Sequence, residues 1–123
     1  MNVNDLYRKN EKLQEYAAKL AGLLPDSQLL SDATNIMRSA KKINAIFPGL
    51  LSAKTEDQFG MVMDRLENEI DEVLFSLDQI AAFNRRRKLK PLDAFVKYGY
   101  DMISLYSFAC DKIIEKRVNQ EVL

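Results

Sequence analysis

Apolar residues recur at spacings of three, four and seven along nearly the whole chain, the period of helices that bury one face. The first such stretch covers about residues 5–24, where Leu6, Leu13, Tyr16, Ala17, Leu20 and Leu24 form one stripe. Pro25, Asp26 and Ser27 end it, since proline cannot continue the hydrogen-bond ladder. A second stretch covers about residues 27–47, with Ser27 as its N-cap and Leu29, Ala33, Ile36, Ala40, Ile43 and Phe47 as its buried face. Pro48 and Gly49 are expected to break or kink it, leaving Leu50 and Leu51 to a further turn.

The third pattern is the most regular. Thr55-Glu56-Asp57-Gln58 has the form of a capping box, in which Thr55 accepts from the Gln58 amide and the Gln58 side chain reaches back. Phe59, Met63, Leu66, Ile70, Val73, Leu77 and Ile80 then alternate spacings of four and three, a heptad seam suited to near-parallel helix packing. The helix is predicted over about residues 55–84. A fourth covers about 91–118, with Pro91 in its first turn and Leu92, Phe95, Val96, Gly99, Met102, Ile103, Tyr106, Cys110 and Ile113 on one face. Gly99 inside a helix implies close approach of a neighbour, and residues 119–123 are expected to fray. Strand-type alternation never lasts four residues between turn signals. The expected fold is all-α: one domain over residues 1–123, an up-down-up-down antiparallel four-helix bundle.

Composition narrows the chemistry. A chain of 123 residues with 47% apolar content is long enough to bury a real core. One cysteine cannot form an internal disulfide, and the absence of histidine removes the commonest metal ligand and general base. The third helix carries many carboxylates, yet Glu67, Asp71 and Asp78 fall off the heptad seam, and a carboxylate-bridged metal site in a bundle also calls for histidine. Glu69, nearest the stripe, could pair with Arg65 one turn earlier. Cys110 on the apolar face of the fourth helix reads as a buried thiol, with no histidine to activate it. These features predict a protein that is not an enzyme and needs no cofactor or metal. The first twenty residues mix charges throughout, and no run of about 18 apolar residues occurs, so a cytoplasmic protein without a membrane partner is expected.

Zero net charge conceals strong segregation. Glu56, Asp57, Asp64, Glu67, Glu69, Asp71, Glu72 and Asp78 face Arg65 alone on the third helix, an acidic rod. Arg85, Arg86, Arg87 and Lys88, with Lys90 beyond, form the densest positive run, and Arg38, Lys41 and Lys42 project opposite the stripe of the second helix. Such cations either complement a helix C-terminus and keep a loop soluble, or contact RNA or another anion. A basic face of one subunit could also lie on the acidic rod of another. Surplus apolar groups point further: Met61 and Phe75 on the third helix, and Tyr98, Leu105 and Phe108 on the fourth, stand off the main stripes. Five large ones on two helices suggest a second buried surface, hence a homo-oligomer with these residues at its interface.

Several blocks carry a family likeness. Ile36-Met37-Arg38-Ser39-Ala40 with Ile43, then Asp57-Gln58-Phe59, then Glu69-Ile70-Asp71-Glu72 with Phe75 and Leu77 occur in order and at matching intervals. In these the chain resembles the four helix bundle proteins encoded in intervening sequences of bacterial 23S ribosomal RNA genes, a group related to the accessory variability proteins of diversity-generating retroelements. The likeness covers most of residues 6–118. It departs where Asn44-Ala45-Ile46-Phe47-Pro48-Gly49 stands in place of the family's Asn-Ile-x-Glu-Gly stretch. It departs too in charge, the retroelement proteins being strongly basic. The resemblance implies an up-down bundle that often assembles as a ring of five. Two functions are therefore expected to compete. One is a non-catalytic homo-oligomeric scaffold, pentameric by resemblance. The other is a nucleic-acid-binding accessory protein of a ribonucleoprotein or reverse-transcriptase system, using Arg38, Lys41, Lys42, Arg85, Arg86, Arg87 and Lys88.

Overall fold

Each stripe becomes one wall of a shared core. The computed structural model describes residues 3–24 and 27–122, and among them every regular element is a helix: α1 Val3–Leu23, α2 Ser27–Ser52, α3 Glu56–Arg87 and α4 Lys90–Val122. α1 packs on α2, α2 on α3, α3 on α4, and α4 closes on α1, so the four helices form a bundle around one core. Contacts pair rising numbers with falling ones. Asn10 meets Asn44 and Tyr7 meets Phe47, Asn35 meets Ser76 and Lys42 meets Glu69, Asn84 meets Asp93 and Tyr100 meets Asp78. Tyr16 lies beside Phe95, and Asn10 beside Tyr106. Each neighbouring pair therefore runs in opposite senses.

Most of the stripe residues read from the sequence are buried, while Tyr16, Leu24, Val96, Ile103 and Ile113 are half-buried. Leu13, Ala17, Ala33, Ile36, Ala40, Ile43, Leu66, Val73, Leu77 and Ile80 are all fully enclosed. The heptad seam of α3 is buried from Met63 onward, while Phe59 is half-buried under Arg117. At Gly99, α4 lies close against Leu77 of α3. A Cβ placed on it would lie 2.7 Å from Leu77 Cδ1 and 3.1 Å from Leu77 Cγ.

Three boundaries differ from expectation. Pro48 and Gly49 do not end α2, which continues through them to Ser52. Proline in a helix interior costs about 3 kcal/mol. Here its ring faces solvent, while Ile46, Phe47 and Leu50 on either side are buried, which offsets that cost. α3 runs three residues further than predicted, so Arg85, Arg86 and Arg87 form its last turn rather than a loop. α4 continues through Val122, beyond the expected fraying point. The predicted stop at Pro25 and Asp26, the Ser27 cap and the terminal Leu123 lie outside the described residues and side chains.

Side-chain bonds fix both described connections. Thr55, extended at φ −119°, accepts from the Gln58 amide at 3.1 Å, and the Gln58 side chain accepts from the amide of Lys54, one residue before the partner a capping box predicts. Arg117 of α4 clasps this turn, donating to the carbonyls of Ala53 and Thr55 at 3.0 and 3.2 Å. Its guanidinium also lies near Glu56 and over the Phe59 ring. At the opposite end Lys88 takes a left-handed conformation, φ 52°, and donates its amide to Asn84. The buried Asn84 side chain accepts from the Leu89 amide and donates to the Leu89 carbonyl and to Asp93 Oδ1, joining α3 to α4.

Candidate functional site

The five surplus apolar residues divide in two. Met61, Phe75 and Phe108 are 68%, 60% and 50% exposed, far more than residues serving only the core. Tyr98 and Leu105, by contrast, are half-buried in the packing of the bundle itself. The Tyr98 hydroxyl donates to the Lys9 carbonyl of α1 at 3.0 Å, and its ring lies 6.3 Å from that of Tyr16. Tyr98 thus lies in the α4–α1 seam, and Leu105 packs against the core, so both are less exposed than their spacing implies. The reason is geometric: with α1 closing on α4, the buried arc of α4 is wider than one stripe, and the flank beside it meets α1.

The remaining three do not form one patch. Met61 and Phe75 stand 14 positions apart on α3, roughly 21 Å along the axis at 1.5 Å per residue. Phe75 lines a polar groove between α2 and α3 of about 390 Å³, with Asn35, Arg38 and Glu72. Asn35 spans this groove, its amide donating to Ser76 Oγ at 2.8 Å and to Glu72 Oε2 at 3.2 Å. Phe108 stands on α4 with the Lys112 ammonium 5.5 Å from its ring centre.

The cations likewise fall into separate groups. Lys42 pairs with Glu69 across α2 and α3 at 3.7 Å. Glu69 thus takes its partner from the neighbouring helix and not from Arg65. Arg38 and Lys41 are exposed, Arg38 lying in the groove beside Glu72. Arg85, Arg86 and Arg87 occupy the last turn of α3, where positive charge complements the helix dipole, and Lys88 caps it. In the α2–α3 register Arg85 lies about twelve residues beyond Arg38, on the order of 18 Å. The two groups make two sites, with the carboxylate of Glu72 level with Arg38 in the groove. Elsewhere on α3, Glu56, Asp57, Asp64, Glu67, Asp71, Glu72 and Asp78 are all exposed.

Buried polar chemistry is concentrated elsewhere, and the apolar periodicity gave no sign of it. Asn10 is fully enclosed between α1, α2 and α4. It donates to the Ala40 carbonyl and to Asn44 Oδ1, both at 2.7 Å, and accepts from the Tyr106 hydroxyl. Asn44 passes the chain on to the Tyr7 carbonyl at 3.3 Å. Every side-chain atom of Asn10 is satisfied, so this network specifies packing rather than offering a reactive group. Burial raises the Tyr106 phenol far above its ordinary range. The Tyr100 phenol is pushed up to about 12 by burial and by its bond to Asp78. Cys110 is buried, and burial, then Glu67 and Asp111, push its thiol up to about 11, so it is protonated at neutral pH. Among the described residues no three His, Cys, Asp or Glu side chains gather as a metal would require. Among the described residues no helix is long and apolar enough to cross a membrane.

A wide concavity lies at the end of the bundle that carries the α3–α4 turn. It encloses about 570 Å³ between the end of α1, the start of α2, the end of α3 and the start of α4. Its inner wall is Leu20, Leu29 and Leu92, all buried, and Leu23 and Leu89 form an exposed rim. The Arg87 guanidinium stacks 3.9 Å from the Phe83 ring centre at the edge. Comparison of the chain with protein-family models, with curated proteins and with solved structures finds no match.

Proposed function

We propose that this chain is a non-catalytic four-helix bundle that assembles with copies of itself and serves as an interaction scaffold. The observation that carries the reading is the exposure of Met61, Phe75 and Phe108, three large apolar groups at separate places outside a core already closed on itself. Groups of this size left in water are covered at low cost by a second subunit. The acidic face of α3 and the basic turn at its end supply complementary charge that would set the register between copies. A ring of five is the assembly suggested by the likeness to the proteins of the 23S ribosomal RNA intervening sequences. Sedimentation equilibrium at micromolar concentration tests the reading, with native mass spectrometry to count subunits. An oligomer that Phe75→Asp and Phe108→Asp dissociate without loss of helicity is expected. A strictly monomeric wild-type chain overturns it.

A second reading, a nucleic-acid accessory protein, draws on the exposed run of Arg85, Arg86, Arg87 and Lys88, with Arg38, Lys41 and Lys42. It requires binding to structured RNA at about 150 mM salt that weakens when the four residues from Arg85 to Lys88 are neutralised. Equal binding by the neutralised variant removes it.

A further inference from the structure

Beyond self-assembly, we propose that the cleft at the α3–α4 end of the bundle binds an amphipathic anion, a linear acyl chain with a carboxylate head. Three features carry this. The cleft holds about 570 Å³, inside the ~300–1,000 Å³ range of small-molecule sites. Among its described lining residues Arg87 is the sole polar side chain. That arginine stands at the edge, in a terminal segment where Arg85, Arg86, Lys88 and Lys90 are also exposed.

The nearby carboxylate of Asp93 accepts from Asn84, which keeps it directed into the turn. The arrangement therefore offers an apolar interior with a cationic edge. A flexible alkyl chain against Leu20, Leu29 and Leu92 gains from apolar contact alone, as these described lining side chains carry no polar atom to desolvate. Its head group meets a planar guanidinium able to donate to two carboxylate oxygens at once. Concavity separates this occupant from a lipid surface, since a flat layer of head groups would touch the rim at Leu23 and Leu89 and leave the inner wall unfilled.

The test is titration of the full chain with dodecanoate below its micellar concentration, followed by calorimetry and by methyl resonances of the leucines. Saturable one-to-one binding is expected, with shifts confined to Leu20, Leu24, Leu29 and Leu92. Arg87→Glu should weaken it by about tenfold, the scale of one charge-assisted contact, and Arg87→Lys by less. Leu23→Gln alters an exposed rim position, so it weakens binding without unfolding the chain, and Phe108→Asp leaves binding unchanged. Absence of saturation overturns the proposal, as does equal binding of dodecyltrimethylammonium. Preference for anionic vesicles over monomeric dodecanoate overturns it in favour of a membrane surface. Loss of self-association in Leu23→Gln overturns it in favour of a second copy filling the cleft.

Discussion

Removing the buried amide of Asn10 should destabilise the bundle about as much as truncating a buried leucine of α1. Asn10→Ala leaves the Tyr106 hydroxyl and Asn44 Oδ1 without their partner, one of them in a fully enclosed position. Each buried group stranded in this way costs about 1–3 kcal/mol, and the cavity adds to it, so a total of about 3–5 kcal/mol is expected. Tyr106→Phe strands only Asn10 Oδ1 and should cost about 1–2 kcal/mol. In the double variant neither the hydroxyl nor its acceptor remains, so the combined cost should fall short of the sum by about 1 kcal/mol or more. Urea unfolding followed by far-ultraviolet circular dichroism, at one protein concentration throughout, gives the four free energies. Additivity within about 0.5 kcal/mol would refute the claim that these two side chains share one network.

Gly99→Ala should lower stability by about 1–3 kcal/mol despite alanine's better helix propensity, because the new methyl overlaps the buried Leu77; a Leu77→Ala background should relieve the clash, and thermal melts of both read it out. Asn84→Ala removes the acceptor for the Leu89 amide and the donor to Asp93, so a loss of about 1–2 kcal/mol is expected, measured by urea midpoint. The Cys110 thiol should react with a disulfide reagent at pH 8 only at the rate of unfolding. Stability should also fall as pH rises from about 9. The folded pKa values of Cys110, Tyr100 and Tyr106 lie above their unfolded values, so the unfolded chain loses protons first. Their contribution is complete below the unfolded values and disappears as pH climbs through the folded ones. Tyr106→Phe should flatten the alkaline limb above pH 10.

Burial pattern was legible in the sequence wherever apolar residues do the packing. Leu13, Ile36, Leu66 and Leu77 announce their faces because a 3.6-residue period leaves few alternatives. Proline chemistry was read too strongly at Pro48, where local preference yields to the burial of Phe47 and Leu50 on either side. Asn10 and Asn84 were invisible for another reason: an asparagine on an apolar stripe looks like an interruption until its partners, 34 or 9 positions away, are known. The candidate surface was half legible. Spacing separates Phe75 and Phe108 from the core, but it cannot tell that Tyr98 reaches α1 or that Leu105 is half-buried, since that depends on which helix closes the bundle.

The grip of Arg117 on the α2–α3 turn makes the guarding of one peptide segment depend on chain 62 positions later. Lys54, exposed in that turn, offers a tryptic cleavage point whose accessibility is governed by α4 rather than by its own neighbourhood. Detachment of the last turns of α4 would release the carbonyls of Ala53 and Thr55 together and let the segment adopt the extended form a protease needs. The two should therefore open as a single cooperative unit, with matching exchange rates, while the core around Leu66 and Ile43 stays closed.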